Sequence, residues 1–204
     1  MSAVPLLLAS ASPRRLALLG QLGVHCPAEP AAIDESRRPD EDAAAYVQRM
    51  AAEKAAVVAA RHHGEGFAVL GADTTVVIDG DILGKPEDRL AALVMLARLS
   101  GRRHEVMTAV SVCSPSGSDT ELVSTRVEFA GLDQAQCEAY LATDEPWDKA
   151  GAYGIQGMAG AFVTRIEGSY SNVVGLPLYE TWRLLAAHGV ATGLPGPAWS
   201  SSNE

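Results

Sequence analysis

Apolar residues in the first half of the chain form short continuous runs and stretches with helical spacing. Residues 6–9 form an uninterrupted apolar run of strand length, and residues 67–73, continued by 74–78, form a second one. Leucines at helical spacing follow Pro13 and stop before Gly23, which predicts a short helix. An alanine-rich stretch over residues 40–61 predicts a long helix whose small side chains allow another element to pack closely.

The second half of the pattern adds a hairpin and further helices. We predict helices over residues 88–99, 132–143 and 177–188, a hairpin of strands 104–113 and 120–129, and a strand over 161–167. Strands and helices alternate irregularly, so the expected fold class is α/β with a mixed sheet flanked by helices. Residues 1–190 are predicted to form one domain. Residues 191–204 lack periodicity and are predicted to be a disordered tail.

Composition and charge narrow the range of partners. The 204 residues carry a formal net charge of -9, which argues against a nucleic-acid polymer as the main partner but not against a small anion. No apolar run approaches the ~18 residues of a membrane span, so a membrane partner is not expected. The three cysteines are far apart, form no C-x-x-C and suit a reducing compartment, so we expect a cytoplasmic protein.

Residues 6–15, LLLASASPRR, carry the chemistry of an anion site. The run predicts a strand followed by a helix with Ser12 as its cap and Pro13 at its first position. Arg14 and Arg15 then lie in the first turn, where the positive end of the helix dipole disfavours cations unless an anion joins them. With Ser10, these groups suit a phosphate. The alternative is an ordinary capped helix with two solvated arginines.

Two further residues have patterns that favour function. Asp73 ends the apolar run 67–73 beside Gly71, and ligand sites in α/β proteins gather at strand ends, although a turn aspartate is the alternative. Lys85 lies between Gly84 and Pro86, and a lysine fixed in a rigid loop suits a phosphate. Taken alone, Glu35 and Lys54 are interpreted as surface charges.

A glycine-rich stretch over residues 147–177 is the second unusual region. Glycines recur at positions 151, 154, 157 and 160, a spacing that permits close approach of the backbone to a flat or phosphorylated ligand. Gln156 offers an amide that can read a base edge, and Tyr153 or Tyr170 could contribute stacking. The alternative is a packed loop in which the glycines relieve crowding.

Seven motifs together resemble the Maf family of nucleoside triphosphate pyrophosphatases. They occur in the family's order, and the resemblance spans residues 4–188. The motifs are S-x-S-P-R-R at 10–15, E-S at 35–36, E-K-A at 53–55, G-A-D-T at 71–74, L-G-K-P at 83–86, D-K-A-G-x-Y-G-I-Q-G at 148–157 and G-S-Y-x-x-V-x-G-L-P at 168–177.

The resemblance implies a fold and a set of residue roles. The fold would be an elongated α/β structure with a central cleft between two lobes, like that of inosine triphosphate pyrophosphatases. The reaction would cleave a nucleoside triphosphate between its α and β phosphates. Asp73 matches the family's proton acceptor. Positions linked to substrate choice are Arg14, Thr74 and Gln156, and the other polar residues of the cleft are Ser10, Arg15, Glu35, Lys54 and Lys85.

The form of the 148–157 motif resembles the branch of the family that acts on dTTP and UTP. Such an enzyme would cleanse nucleotide pools and would use a divalent metal cation, Mg²⁺ or Mn²⁺, held by Asp73 and Glu35. By analogy, a homodimer is also expected. Two alternatives stay open: the same chemistry on 7-methyl-GTP, and a nucleotide-binding regulator of cell division that does not need hydrolysis.

Overall fold

A six-stranded mixed sheet organises the computed structural model, which describes residues 3–196. The strands are β1 (Leu6–Ala9), β2 (Ala68–Ile78), β3 (Asp81–Leu83), β4 (Arg103–Ser114), β5 (Gly117–Phe129) and β6 (Val163–Glu167). Their order is β1-β2-β4-β5-β6, with β3 pairing to β2. Strands β1 and β2 are parallel and the other pairs are antiparallel, which confirms the expected mixed α/β fold.

Within residues 3–196, six α-helices accompany the sheet: α1 (Pro13–Gln21), α2 (Ala43–Arg61), α3 (Arg89–Leu99), α4 (Gln134–Leu141), α5 (Tyr170–Val174) and α6 (Leu178–Ala187). Short 3₁₀ turns occupy Pro146–Asp148, Ala150–Ala152 and Met158–Phe162. The carboxylates of Asp42, Asp88 and Asp133 accept hydrogen bonds from backbone N–H groups of the helices that they precede. None of the helices within residues 3–196 is long and apolar enough to cross a membrane.

Several predicted boundaries shift, each for a local reason. Helix α2 begins at Ala43 rather than at residue 40, because Asp42 is its cap and Asp40 has a left-handed φ of 58°. The hydroxyl of Ser12 does not cap α1; instead Ser10 Oγ accepts the Ser12 N–H at 3.2 Å. Helix α5, only five residues long, was not predicted. Residues 191–196 form no helix or strand, and the rest of the predicted tail lies outside the described residues.

Helices cover both faces of the sheet. Helix α2 packs on one face, where a Cβ atom at Gly71 would lie 2.2 Å from the backbone oxygen of Ala51. On the other face, one core joins β1, β2 and β4 to α1 and α6, and a second core joins the far ends of β2, β4 and β5 to α3 and α4. Residues of both cores, such as Val174 of the first and Val76 of the second, line a cleft.

The edge of β2 next to this cleft is open. Strand β1 pairs with β2 at residues 68–71 and β3 pairs with it at residues 76–78, both on the edge opposite to β4. Within residues 3–196, residues 72–75 therefore have no strand partner on that edge. A ligand in the cleft can reach side chains on both faces of the sheet through this gap.

Candidate active site

A cleft of about 810 Å³ lies at the open edge of β2. Its walls come from the start of α1, the glycine-rich segment before β6, the β3–α3 loop and the N-terminal half of α2. All the residues assigned from the sequence line this cleft: Ser10, Arg14, Arg15, Glu35, Lys54, Asp73, Thr74, Lys85 and Gln156. The fold thus brings together residues that are up to 146 positions apart in the sequence.

Lys54 joins the two candidate carboxylates. Its Nζ lies 2.7 Å from Asp73 Oδ1 and 2.7 Å from Glu35 Oε1. Lys54 is 9% exposed, and a buried ammonium needs such partners. The interpretation of Lys54 as a surface lysine is therefore wrong, and Glu35 takes part in the same cluster although half of its side chain is exposed.

The apolar run suggested that Asp73 ends its strand, but the structure does not place it there. It lies in the middle of β2, opposite Ala109 of β4. The strand that ends here is β1, whose last residue Ala9 pairs with Gly71. Asp73 is thus two residues beyond the end of the neighbouring strand, so the expectation of a strand-end site holds for β1 and not for β2.

The surroundings of Glu35 favour its charged form. Burial would raise the pKa of Glu35, but the hydrogen bond from Lys54 and the positive charges of Lys54, Lys85 and Arg15 hold that pKa below its ordinary value. The Tyr46 hydroxyl donates to the backbone oxygen of Glu35 at 3.0 Å and so fixes this loop on α2. Burial, together with the charges of Asp73 and Glu35, raises the pKa of Tyr46 to about 12.

Arg15 is held by neutral acceptors. Its Nε donates to the backbone oxygen of Gly175 at 2.9 Å, its Nη1 to Ser10 Oγ at 3.1 Å and its Nη2 to Thr74 Oγ1 at 3.1 Å. Among residues 3–196, no carboxylate forms a salt bridge with it. Burial lowers the pKa of Arg15, with the charge of Asp73 opposing this effect. An orientated guanidinium without a carboxylate partner is suited to an anion.

Arg14 is arranged differently. Its Nη1 forms an ion pair of 2.9 Å with Asp148 Oδ2, which crosses from α1 to the segment on the opposite wall. Burial would raise the pKa of Asp148, but hydrogen bonds from Lys149 and Arg14 lower that pKa to about 2. Within residues 3–196 only Nη1 of Arg14 is hydrogen-bonded, so its other N–H groups stay available to an anion while Asp148 offsets part of its charge.

Lys85 and Gln156 are both exposed in the cleft. No hydrogen bond or salt bridge to either side chain is found within residues 3–196, so both are available to a ligand. The backbone oxygen of Gly84 accepts a hydrogen bond of 3.0 Å from the N–H of Gly151, which ties the loop of Lys85 to the segment of Gln156.

The recurring glycines make room for protein atoms. A Cβ atom at Gly154 would lie 2.6 Å from Lys149 Cε, and one at Gly157 would lie 2.3 Å from Glu145 Oε2. The Glu145 carboxylate accepts the Met158 N–H at 2.9 Å and 3.0 Å, which fixes the segment around Gln156. The packed-loop interpretation is thus favoured over close approach to a ligand. Tyr153 lines the cleft but is buried, and Tyr170 is not among the described residues that line it.

Sequence reasoning overlooked several residues of the cleft. The only local signal for Tyr46 was its position as an aromatic residue within the alanine-rich helix. No local signal indicated Glu145. Asp148 and Lys149 were noted as part of a motif but received no role. Their contacts are long-range, and no local periodicity encodes them.

The donor set is compatible with a hard divalent cation. Asp73 and Glu35 each contact Lys54 through one oxygen, which leaves Asp73 Oδ2 and Glu35 Oε2 as oxygen ligands. Mg²⁺ commonly takes one or two carboxylates and completes its shell with phosphate oxygens and water. No group of three or more His, Cys, Asp or Glu side chains suited to a metal ion occurs in the described part of the chain. An ion here would therefore depend on oxygens from a ligand.

These features define a class of protein: an α/β protein with a cleft for a small polyanion. The cleft holds five cationic side chains in a chain of net charge -9, namely Arg14, Arg15, Lys54, Lys85 and Lys149. Residues 5–188 match the family model described as "Maf-like protein", and the chain belongs to the Maf family.

Curated relatives share about half of their residues with this chain. A protein of Hahella chejuensis named dTTP/UTP pyrophosphatase is 53% identical over 186 residues, covering 91% of this chain and 92% of that protein. A protein of Anaeromyxobacter sp. with the same name is 54% identical over 198 residues, covering 94% of each chain. A solved structure of the Staphylococcus aureus Ham1 protein is 15% identical, covers 78% of this chain and 90% of that one, and has a TM-score of 0.36, which is too low to support an argument.

Proposed function

We propose that this protein hydrolyses dTTP and UTP to the nucleoside monophosphate and pyrophosphate. The observation that carries the proposal is the Asp73–Lys54–Glu35 cluster, which lies in one cleft with Arg15 and Lys85. A carboxylate that can accept a proton then lies beside cations that can hold a triphosphate. The name dTTP/UTP pyrophosphatase of relatives about 50% identical supports the choice of nucleotide.

The proposed chemistry is in-line attack of water on the α-phosphorus. Asp73 Oδ1 accepts a hydrogen bond from Lys54, so Oδ2 is the atom that takes the proton of the attacking water. The new bond forms between the water oxygen and the α-phosphorus, and the bond from the α-phosphorus to the bridging oxygen breaks. Pyrophosphate leaves with the electron pair of that bond.

The cationic side chains stabilise the charge that develops on the phosphates. Arg15 is already orientated by Gly175, Ser10 and Thr74, so little reorganisation is needed when a phosphate binds. Lys85 contributes from the exposed side of the cleft, and Arg14 contributes through the N–H groups that Asp148 does not occupy. Such preorganised charge is the main means by which proteins accelerate phosphoryl transfer.

We further propose that a divalent cation, Mg²⁺ or Mn²⁺, takes part. Asp73 and Glu35 would hold it together with oxygens of the triphosphate. An ionised carboxylate has about four lone-pair sites, so Asp73 can serve the ion and the proton of the water with different lone pairs. When bound, such an ion polarises phosphoryl oxygens and offsets their negative charge.

The base is proposed to be read by Gln156 together with Thr74. Gln156 is exposed on the wall opposite to α1 and can hydrogen-bond the edge that uracil and thymine share. That edge carries one N–H between two carbonyl groups. A site that hydrogen-bonds this edge rejects bases that lack it.

Substitution of Asp73 tests the proposal. The wild-type protein should convert dTTP and UTP to monophosphate and pyrophosphate, and Asp73→Asn should lower kcat by about 10²–10⁴, because Asn cannot take the proton. Products are separated by anion-exchange chromatography, and Asp119→Asn is the control because Asp119 contacts His188 and not the cleft residues.

Three outcomes would contradict parts of this assignment. An Asp73→Asn variant with the wild-type rate would remove Asp73 as the base. Release of orthophosphate instead of pyrophosphate would exclude cleavage between the α and β phosphates. Faster turnover of 7-methyl-GTP than of dTTP and UTP would favour the alternative substrate.

We propose the cytoplasm as the location, where nucleotide pools are replenished and used. The cysteines Cys26, Cys113 and Cys137 are all free thiols, which suits a reducing compartment.

A homodimer and a role in arresting cell division stay predictions. Sedimentation would test the first, and the division phenotype of the Asp73→Asn variant would test the second.

A further inference from the structure

A chain of hydroxyl groups extends from the cleft into the core. Thr74 Oγ1 in the cleft is 2.9 Å from Thr108 Oγ1 on β4, and Thr108 Oγ1 is 2.9 Å from the backbone oxygen of Asn172 on α5. Thr108 and Asn172 are both fully buried. The three groups thus form one connected network that solvent does not reach at its inner end.

The direction of each hydrogen bond in this network is determined. A carbonyl oxygen can only accept, so the single hydroxyl hydrogen of Thr108 must be donated to Asn172. Thr108 therefore has no hydrogen left for Thr74, and the hydroxyl of Thr74 must donate to Thr108. The hydrogen of Thr74 points into the protein and not into the cleft.

The inner end of the network is rigid. Asn172 Nδ2 donates to the backbone oxygen of Val106 at 2.9 Å and to Thr125 Oγ1 at 2.9 Å. These two bonds fix α5 against β4 and β5, and they keep the backbone oxygen of Asn172 in place as an acceptor. The backbone oxygen of Asn172 also accepts the Gly175 N–H at 2.9 Å, and it lies 2.9 Å from Thr108 Oγ1. If Thr108 turned its hydrogen away, two acceptor oxygens would face each other at that distance, which is unfavourable.

Thr74 is left as an acceptor towards the cleft. Its oxygen has two lone pairs, and Arg15 Nη2 occupies one of them at 3.1 Å. The space beside this oxygen is kept open by Gly175, since a Cβ atom there would lie 3.4 Å from Thr74 Oγ1. The remaining lone pair can accept a hydrogen bond from a ligand.

Ser10 shows the opposite polarity in the same cleft. Its Oγ accepts from Ser12 N at 3.2 Å and from Arg15 Nη1 at 3.1 Å, so both lone pairs are used. Its hydroxyl hydrogen is then available as a donor, which suits a phosphate oxygen. Arg15 therefore contacts one hydroxyl that can only donate to a ligand and another that can only accept from it.

We propose that Thr108 is a specificity-determining residue, which fixes Thr74 as an acceptor for the ring N–H of uracil or thymine. This inference rests on the proposed function, because it needs a pyrimidine base in the cleft. Cytosine presents an unprotonated nitrogen at the same ring position and would face the lone pair of Thr74. Gln156 cannot make this distinction alone, because its exposed amide can rotate to present either a donor or an acceptor.

Thr108→Val tests the proposal with little change in side-chain volume. Without the hydroxyl of Thr108, Thr74 can rotate its hydrogen into the cleft and donate to cytosine. The ratio of kcat/KM for UTP to that for CTP should fall by about tenfold or more, with an absolute rise for CTP. A purely structural defect would lower both values together. Thr108→Ser keeps the hydroxyl and should restore the wild-type ratio.

Thr181→Val is the matched control, because Thr181 is also fully buried, on α6, and is not among the cleft residues. Its ratio of UTP to CTP turnover should equal that of the wild type. Circular dichroism and thermal melting show whether each variant is folded. If Thr108→Val does not fold, Thr108→Ala, which also lacks the hydroxyl, takes its place, with the same fall in the ratio expected and an unchanged ratio contradicting the proposal.

The outcomes separate the two proposals. A folded Thr108→Val variant with the wild-type ratio, or a wild-type protein that turns over CTP as fast as UTP, would overturn the role of Thr108 while leaving the pyrophosphatase intact. A wild-type protein that releases no pyrophosphate from UTP or dTTP would overturn the proposed function, and the role of Thr108 with it.

Discussion

At the scale of single residues, the cleft depends on one lysine between two carboxylates. Lys54 Nζ is 2.7 Å from an oxygen of both Asp73 and Glu35, and it is almost completely buried. Removing one member of a buried charge cluster leaves the remaining charges without compensation, which costs more than the pair contributed. The two carboxylates would then repel each other and any phosphate nearby.

We expect Lys54→Met to lower kcat for the proposed reaction by about 10²–10³, the usual cost of losing one preorganised charge. Methionine keeps much of the aliphatic stem, so α2 should remain packed on the sheet. Steady-state kinetics with dTTP and pyrophosphate as the readout would measure the loss. Arg61→Met removes an exposed cation from the same helix, paired with Glu29, and should retain the wild-type kcat.

If the Lys54→Met and Arg61→Met variants had equal kcat values, the bridging role assigned to Lys54 would be wrong.

The sequence alone could not have supplied that role. Lys54 is 19 positions from Asp73 and also 19 positions from Glu35, and nothing in the local pattern distinguishes it from a solvated helix lysine. The family motifs identified it as a cleft residue. Its burial and its two partners required the fold.

At the scale of elements, the distance between α2 and β2 determines whether this cluster can form. Gly71 faces α2, and a Cβ atom there would lie 2.2 Å from Ala51 O and 2.7 Å from Ala55 N. Side chains alternate along a strand, so Asp73 faces the same helix two residues later. The absence of a side chain at Gly71 thus lets the helix approach closely enough for Lys54 to contact Asp73.

We expect Gly71→Ala to destabilise the protein by about 1–3 kcal/mol, as overpacking in a core does, and to lower kcat by displacing Lys54. Urea unfolding and steady-state kinetics would measure the two effects. Gly131→Ala is the matched control, because a Cβ atom at Gly131 would meet nothing within 4 Å. If both variants unfolded at the same urea concentration and retained the same kcat, close packing at Gly71 would not govern the cluster.

Elements with strong local signals were predicted well. Helices α3 and α4 begin close to the predicted positions 88 and 132, after the caps Asp88 and Asp133. The apolar periodicities also located the long helices and the central strands. Helix α5 escaped prediction because five residues carry too little periodicity. The glycine spacing around Gln156 was ambiguous because the groups that fill it, such as the Glu145 carboxylate, come from outside the repeat.

At the scale of the whole molecule, one histidine links the sheet to the segment that carries Gln156. His104 of β4 is 3% exposed, and its Nε2 lies 2.8 Å from the hydroxyl of Tyr153. Its ring also makes edge-to-face contacts with Phe129 and Tyr153, at centroid distances of 5.0 Å and 5.5 Å. Burial lowers the pKa of His104 to about 4, so the folded protein holds this side chain neutral.

The stability of the fold should therefore depend on pH in a defined window. The unfolded chain binds a proton at His104 below its ordinary pKa of about 6.5, whereas the folded protein does not do so until about pH 4. Because the unfolded state binds more protons in this interval, stability falls as the pH falls from 6.5 to 4. The full effect is on the order of 3 kcal/mol.

His104→Gln should remove this contribution, because glutamine does not titrate. We expect the free energy of unfolding of the wild type, minus that of the variant, to rise between pH 4.5 and 6.5 and to level off above pH 7. Urea unfolding at each pH would measure it. Working above pH 4.5 avoids Asp148, whose lowered pKa of about 2 costs stability only in more acidic solution. If the stability of His104→Gln depended on pH as steeply as that of the wild type, the burial of His104 would not contribute to the pH dependence.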